Sequence, residues 1–397
     1  MKRFWVFTFF MLFCSLSFSQ EFGINFIKTI KIGSDSVNFF EILGSVLAFS
    51  QKDTLVLVSL KDNKELVRLK VRSEKAKDAD NISITNFHFL DPERIFVVNN
   101  EPYALIYNIT KKTVSPLPYN KENVVNTKSY VFTEKIESIE DIIISPSGNF
   151  LIEKVHIMNY LLGGFLLLDE WYEYNVITYP KMERLYTIST KKDYSEFDFL
   201  MSGKDQYLFI INPIMASNKK SYALIIKDLR SGKDLKYFYE KDRIIAYNLS
   251  KNDKYFVFSL DGKEEVVLID LSNLKEIASF PAIGNPVISP LENLIAIEEN
   301  SEINIFTIND KRLILNVRGS HPVFSFDEKF LVYSLGEHFL APTKEIVIRS
   351  LMKEQRRNIS LDNEYFLEKM EWTYDNRYLI LLVMGGDGYK ILVYEIK

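Results

Sequence analysis

The sequence predicts an all-β chain built from repeated four-stranded units, and three observations lead there. Phe (30) and Tyr (22) are abundant while Gly (15) and Pro (12) are sparse, so strand formers outnumber turn formers. With 47% hydrophobic and 26% charged residues among 397, the composition is that of a folded chain with ample core material; disorder, collagen-like repeats and coiled coils are excluded. The third observation is a recurring pattern: a short apolar strand, a polar turn, a second apolar strand opening on a large residue, and a third strand after a further turn.

The N-terminus is set aside before the repeats are read. Lys2 and Arg3 precede an almost unbroken apolar run over residues 4–13, and Ser17 and Ser19 place small residues at the −3 and −1 positions of a cut before Gln20. This resembles a bacterial secretory signal peptide, with cleavage between Ser19 and Gln20. An uncleaved anchor is the competing reading, but residues 4–18 fall short of the roughly 20 that a spanning helix needs. A lipoprotein acylated at Cys14 is a third reading, opposed by the bulky Phe13 where a lipobox has a small residue. The expected organisation is a signal peptide over residues 1–19 and one domain over residues 20–397, in an exported protein of the periplasm or medium.

Cys14 is the single cysteine, so cleavage leaves a chain without disulfides or cysteine chemistry. Loss of Lys2 and Arg3 from the 49 basic side chains leaves 47 against 53 acidic ones. A mildly acidic chain without a basic tract is a poor candidate for nucleic acid or for an anionic membrane surface.

The clearest copies of the pattern are ISPSGNFLI, LSKNDKYFVFSLDGKEEVVLIDL, ISPLENLIAIEENSEINIFTI, FSFDEKFLVYS and WTYDNRYLILLVMGGDGYKILVYEI. FLDPERIFVVNN, FLMSGKDQYLFIIN and EILGSVLAFS are weaker. Aligned on the first large residue of the second strand they give Val46, Ile95, Phe150, Tyr207, Tyr255, Leu294, Phe330 and Tyr378, spaced by 49, 55, 57, 48, 39, 36 and 48 residues. The mean is close to the period of propeller blades. A solenoid would need helical periodicity, which is absent. The prediction is a single β-propeller of eight four-stranded blades, or seven if the Val46 unit is not a blade.

A propeller must close its ring or leave a sheet edge open. The last unit ends after three strands, and residues 25–32 (NFIKTIKI) form an orphan strand ahead of the first unit. This N-terminal strand is expected to complete the last blade; an extra edge strand is the alternative. The SPSGNFL, SKNDKYFVFS and SFDEKFLVYS stretches resemble the turns of WD40-like and TolB-type propeller repeats. The resemblance spans nearly the whole mature chain, but Trp-Asp and Gly-His pairs are missing, and Trp occurs only at 5, 171 and 372. It implies a scaffold class that hosts many functions.

Catalytic motifs are thin. There is no G-x-S-x-G, Walker loop, G-x-G-x-x-G or H-E-x-x-H. His88, His156, His321 and His338 are scattered; His88 and His321 fall on expected innermost strands, where nothing in the sequence supplies a partner and a structural role is favoured. Gly385, Gly386 and Gly388 around Asp387 read as a hairpin tip. No cofactor, metal site or catalytic residue is expected.

Loop length is more informative. The long excursions, residues 72–81, 120–138, 158–170, 213–220 and 336–343, all fall on the face that carries the blade-to-blade connections, which marks it as the binding face. The oddest is MNYLLGGFLLLDEWY (residues 158–172), an apolar run inside an expected loop, read either as a docking surface or as a loop packing on itself. Tyr160, Leu162, Phe165, Leu167, Trp171, His338 and Phe339 are the candidate contacts. The functional expectation is an exported binding or assembly module with a protein partner in the bacterial envelope, and no nucleic acid or stable membrane span. The alternative is a metal-dependent hydrolase or lactonase using the central channel, which needs inward acids; the innermost strands read as largely apolar, with Asp198 and Glu371 as isolated acids.

Overall fold

The second strands are apolar at almost every position, as in Tyr255–Leu260, where all six residues are buried. A strand so composed needs cover on both faces of its sheet, and that requirement shapes the molecule. The computed structural model describes residues 22–33, 40–62, 64–72, 82–100, 103–117, 128–130, 133–161, 166–216, 220–335, 342–362 and 364–397.

Among these residues the chain opens with Ile24–Gly33 (β1) and continues as eight antiparallel meanders. Blade 1 is Phe40–Leu43, Val46–Gln51, Thr54–Ser59 and Glu65–Lys70 (β2 to β5). Blade 2 is Ile84–Asp91, Arg94–Asn99, Ala104–Asn108 and Thr113–Pro116 (β6 to β9). Blade 3 has five strands: Lys128–Tyr130, Thr133–Ile144, Phe150–Leu161, Leu166–Thr178 and Glu183–Ser189 (β10 to β14). Blade 4 is Tyr194–Met201, Tyr207–Met215, Tyr222–Asp228 and Asp234–Glu240 (β15 to β18), and blade 5 is Ile244–Leu249, Tyr255–Leu260, Glu265–Asp270 and Lys275–Phe280 (β19 to β22). Blade 6 is Asn285–Ile288, Leu294–Glu299, Glu302–Thr307 and Leu313–Arg318 (β23 to β26), and blade 7 is Ser320–Phe324, Phe330–Leu335, Glu345–Ser350 and Arg356–Ser360 (β27 to β30). Blade 8 is Phe366–Trp372, Tyr378–Gly385 and Gly388–Ile396 (β31 to β33), completed by β1 in the order β1-β33-β32-β31.

The fold is an eight-bladed β-propeller closed by its N-terminal strand. Seven of the eight residues aligned in the sequence open a second strand; Ile95 lies one residue after the start of β7. The Val46 unit is a true blade, so the seven-bladed alternative falls, and Gly385 pairs with Gly388 at a hairpin tip. Two departures from the four-stranded, loop-decorated expectation both lie in blade 3, which carries the extra strand β10 and whose residues 158–170 are largely strand.

The described residues form eight apolar clusters, each between two neighbouring blades. Alternation along the second strand explains this: Leu208 and Ile210 enter the core shared with blade 3, Phe209 and Ile211 the one shared with blade 5. The cluster joining Ile32, Ile391 and Val393 to Leu47, Phe49 and Val56 closes the ring between blades 8 and 1.

One turn construction recurs between the first and second strands of blades 3 to 8. A buried Ser or Thr (Ser145, Ser202, Ser250, Ser289, Ser325, Thr373) accepts, on its side-chain oxygen, the amide of the residue opening the second strand. Three positions later comes a residue at positive φ: Gly148, Asp205, Asp253, Glu292, Glu328 or Asn376. Five of these reach back to the turn of the preceding blade. Asp205 accepts from Ser147 and Asn149, Asp253 from the amides of Gly203 and Lys204, Glu292 from Asn252, Glu328 from Leu291 and Asn293, and Asn376 from Phe326. These bonds, charge-assisted at the four carboxylates and neutral at Asn376, link the turns into a belt. Gly148 is the exception because Leu90 of blade 2 fills the space: a Cβ there would lie 2.9 Å from Leu90 Cδ2, at a φ of 78°.

Candidate functional site

In a meander, the first and third turns share one face and the middle turn lies on the other. The middle turn of blade 3 is where the molecule departs from its repeat. β11, β12 and β13 run for 12, 12 and 13 residues, against six in β20 or β21. At about 3.3 Å per residue these strands are roughly 20 Å longer than β20 and β21, and about 10 Å longer than the nine-residue β16 of the next blade. This paddle stands on the face that the loop lengths single out.

The polarity of the paddle changes along its strands: Val155 and Ile157 are buried, while Leu166, Leu167 and Leu168 near the tip are exposed. At its root Asn175 Nδ2 donates to Glu153 Oε2 at 3.2 Å, and Thr187 donates to Asn175 Oδ1 at 2.7 Å. Further out, Glu140 lies 3.1 Å from Lys154 Nζ and 3.1 Å from His156 Nδ1, while His156 Nε2 faces Glu170 at 3.5 Å. The His156 ring stacks on Tyr172, with centroids 4.7 Å apart, and Lys154 covers the Tyr172 ring at 4.3 Å.

Three predicted contacts lie on this paddle. Tyr160 and Leu167 are cross-strand partners, and Trp171 pairs with Ile157. Because Ile157 and Tyr160 are three residues apart on β12, Trp171 occupies the opposite face from Tyr160 and Leu167. Trp171 is fixed in place: Lys191 Nζ sits 4.1 Å from its ring centroid and Lys135 Nζ 5.8 Å, Lys191 also pairs with Asp169, and the indole N–H donates to Glu173 Oε1 at 3.1 Å. Tyr160 donates to Met158 Sδ at 3.3 Å. Leu166, Leu167 and Leu168 are exposed. The expected alternative, a loop packing on itself, does not hold for the described part of this segment, which is paired strand. Leu162, Phe165, His338, Phe339 and the Ser19 and Gln20 cleavage pair lie outside the described residues.

The channel holds a second group. Consecutive innermost strands touch, as β2 does β6 and β27 does β31. His88 Nδ1 lies 2.8 Å from Glu41 Oε1, and its Nε2 lies 3.1 Å from the carbonyl oxygen of Pro146. Glu41 Oε2 also accepts the Phe89 amide at 3.0 Å. The expectation that His88 lacks a partner is thereby corrected. His321, likewise, has Ser334 Oγ 3.2 Å from Nδ1. A lone acid inside the otherwise apolar FEIL strand was the one available hint of Glu41. Glu371 is not isolated either: Lys369 Nζ stands 3.6 Å from its Oε2 and donates to the Phe40 carbonyl. Burial pushes the Glu371 carboxyl up, Lys369 opposes this, and the Glu41 charge adds to it. Among the described residues no group of three His, Cys, Asp or Glu is placed to hold a metal ion.

Burial works against the charged His88 ring, but the Glu41 hydrogen bond and charge, with the Pro146 carbonyl, outweigh it and raise its pKa. A pKa raised on folding contributes stability that is complete below the unfolded value of about 6.5 and is lost as pH rises through the folded value. The stability difference between the parent chain and His88→Gln is therefore expected to be larger at mildly acidic than at alkaline pH. Urea titrations at both pH values measure it, and a pH-independent difference would contradict the ion pair.

The fold and these two groups define an eight-bladed propeller with one elongated blade and a channel whose charged groups pair with one another. No protein-family model matches the chain, and no curated protein does. Among solved structures it is similar to the Dos1 propeller (TM-score 0.55, 10% identity, 94% of this chain and 95% of that one). It is also similar to the dihydro-heme d1 dehydrogenase NirN in complex with DHE (TM-score 0.54, 11% identity, 92% of this chain and 75% of that one). At such identities the likeness is one of fold.

Proposed function

We propose that the protein is an exported scaffold of the bacterial envelope that binds a protein partner through the blade 3 paddle. The observation that supports this best is the paddle itself: three strands lengthened together, ending in exposed Leu166, Leu167 and Leu168, with an aromatic residue held rigid between two lysines. An immobilised indole with the exposed Leu166, the partner of Leu161, on its own face of the paddle is the composition of an interface hot spot. The outer edge of β13 adds to it. β14 pairs only from Glu173 onwards, and Thr190 caps Tyr172 by mutual hydrogen bonds, so β13 runs past its neighbour.

The test is in-cell crosslinking of the intact protein, identification of the recovered partner, and a direct binding measurement with that partner purified. Trp171→Ala combined with Leu166→Ser is expected to weaken the complex by about thirtyfold, the loss of roughly 2 kcal/mol at a hot spot. A partner that binds the variant unchanged, or no specific partner from the intact chain, would count against the paddle.

A further inference from the structure

The four most exposed large hydrophobic side chains among the described residues are Met352 (77%), Tyr374 (66%), Leu291 (56%) and Phe26 (56%). They are far apart in sequence, yet the fold gathers them on one sector of one face. Leu291 lies in the first turn of blade 6, Met352 in the last turn of blade 7 and Tyr374 in the first turn of blade 8. These turns share the face opposite the paddle. Phe26 lies near the start of β1, at the blade 8 rim, where Gly23 and Lys397 bond to each other at the same face.

Cations surround these tips. Arg349 and Arg356 are direct cross-strand partners in blade 7, a like-charge juxtaposition that costs stability in an isolated sheet. Lys353 lies in the turn between them. None of the three has an ion-pair partner among the described residues. Lys251 of blade 5 reaches across to the Phe326 and Tyr374 rings at 4.0 and 4.4 Å, also without a carboxylate. The acids of the sector are engaged. Asp327 caps Ser325 and the Lys329 amide and pairs with Lys329, and Asp375 caps Thr373 and the Arg377 amide. Glu292 and Glu328 accept backbone amides of the preceding blades, Glu395 holds Arg377 and Lys397, and Asp310 holds Thr307 and Arg312. Among the described residues Glu354 in the blade 7 turn is the one acid of the sector without such a role.

We infer that this sector of blades 6 to 8 is a peripheral docking surface for an anionic phospholipid bilayer. Apolar tips on separate turns, spread over three blades and ringed by unpaired cations, match the interfacial region of a bilayer, where side chains enter the headgroup layer and cations meet lipid phosphates. The tips stand on three separate turns rather than along one strand edge, the surface on which an added peptide strand would dock. Docking here leaves the paddle pointing away from the lipid. The acidic balance of the whole sequence conceals this surface, because net charge averages over blades that the ring keeps apart.

The experiment is flotation of the full-length protein with vesicles of phosphatidylcholine alone or containing roughly one-third phosphatidylglycerol, at low and high salt. The parent chain is expected to float with the anionic vesicles and to lose that binding in high salt. At about fivefold per basic residue, Arg349→Ser, Lys353→Ser and Arg356→Ser together lower the partition coefficient by roughly a hundredfold. Met352→Ser with Tyr374→Ser lowers it without removing the salt dependence, and Lys135→Ser with Lys191→Ser on the paddle leaves it unchanged. All variants share residues 1–19, so differences report on the face. The triple variant removes the opposed arginines and keeps or raises the urea midpoint, which separates lost binding from lost folding. Equal flotation with neutral vesicles, an unaffected triple variant, or a parent chain that stays with neither vesicle and instead captures an acidic protein would each overturn the inference, leaving the paddle reading intact.

Discussion

Gly284→Ala is expected to destabilise the protein by about 3–5 kcal/mol, the range of severe backbone or packing conflicts. Gly284 precedes β23 and is locked to Ser259: its amide donates to Ser259 Oγ at 3.1 Å, and Ser259 Oγ donates to its carbonyl at 2.7 Å. A Cβ at this position would lie 1.9 Å from the carbonyl oxygen of Glu298 and 2.7 Å from its carbon. Backbone cannot rotate away as a side chain can, and Glu298 is itself the register partner of Asn285. Relief therefore requires β23 to separate from β24 or from the Ser259 anchor. Urea denaturation measures the loss. Gly262→Ala is the control, since its Cβ would meet only the Asp242 carboxylate at 3.1 Å; a Gly284→Ala chain as stable as that control would refute the close approach.

Ile32→Asp should be of similar size and should act on the closure of the ring. Ile32 lies at the end of β1, buried in the core shared by blades 8 and 1, and its carbonyl accepts from Gln51 Nε2 at 2.8 Å. Replacing it removes an aliphatic side chain and places a carboxylate there without a partner, at a combined cost of about 4–5 kcal/mol. The consequence is also topological. If β1 detaches, β33 becomes an open edge carrying Ile391 and Val393, a template for association between chains. The expected result is a lower urea midpoint together with concentration-dependent aggregation. Thr29→Asp, on the exposed side of the same strand, leaves both unchanged. An Ile32→Asp chain that stays monomeric at the parent's midpoint would show that β1 is dispensable.

The blade 3 excursion shows where the reading of residues ran out. MNYLLGGFLLLDEWY alternates too poorly to separate a strand from a folded loop, and a bulge between Asn159 and Tyr160 shifts the phase. What makes it strand is the company of β11, whose pairing from Thr133 to Ile144 extends the sheet. The same limit applied to His88: its partner Glu41 lies on another blade, and residues 41 and 88 show no common pattern along the chain.

The sequence by itself determined the repeat and its period, and it favoured eight blades and a closing strand over seven blades and an extra edge strand. Each of these is written locally: alternate residues of a strand face opposite sides of the sheet, a small polar turn precedes a large residue and an apolar run, and the period emerges from counting. Only the tertiary structure decided which turns meet. Asp253 finding the Gly203 amide, Lys251 finding Phe326 and Tyr374, and the gathering of Leu291, Met352 and Tyr374 on one face depend on a ring that brings residues tens of positions apart into contact. Strand periodicity extends only a few residues, whereas the packing of each blade between two neighbours sets distances around the whole circle, and the surfaces follow from those distances.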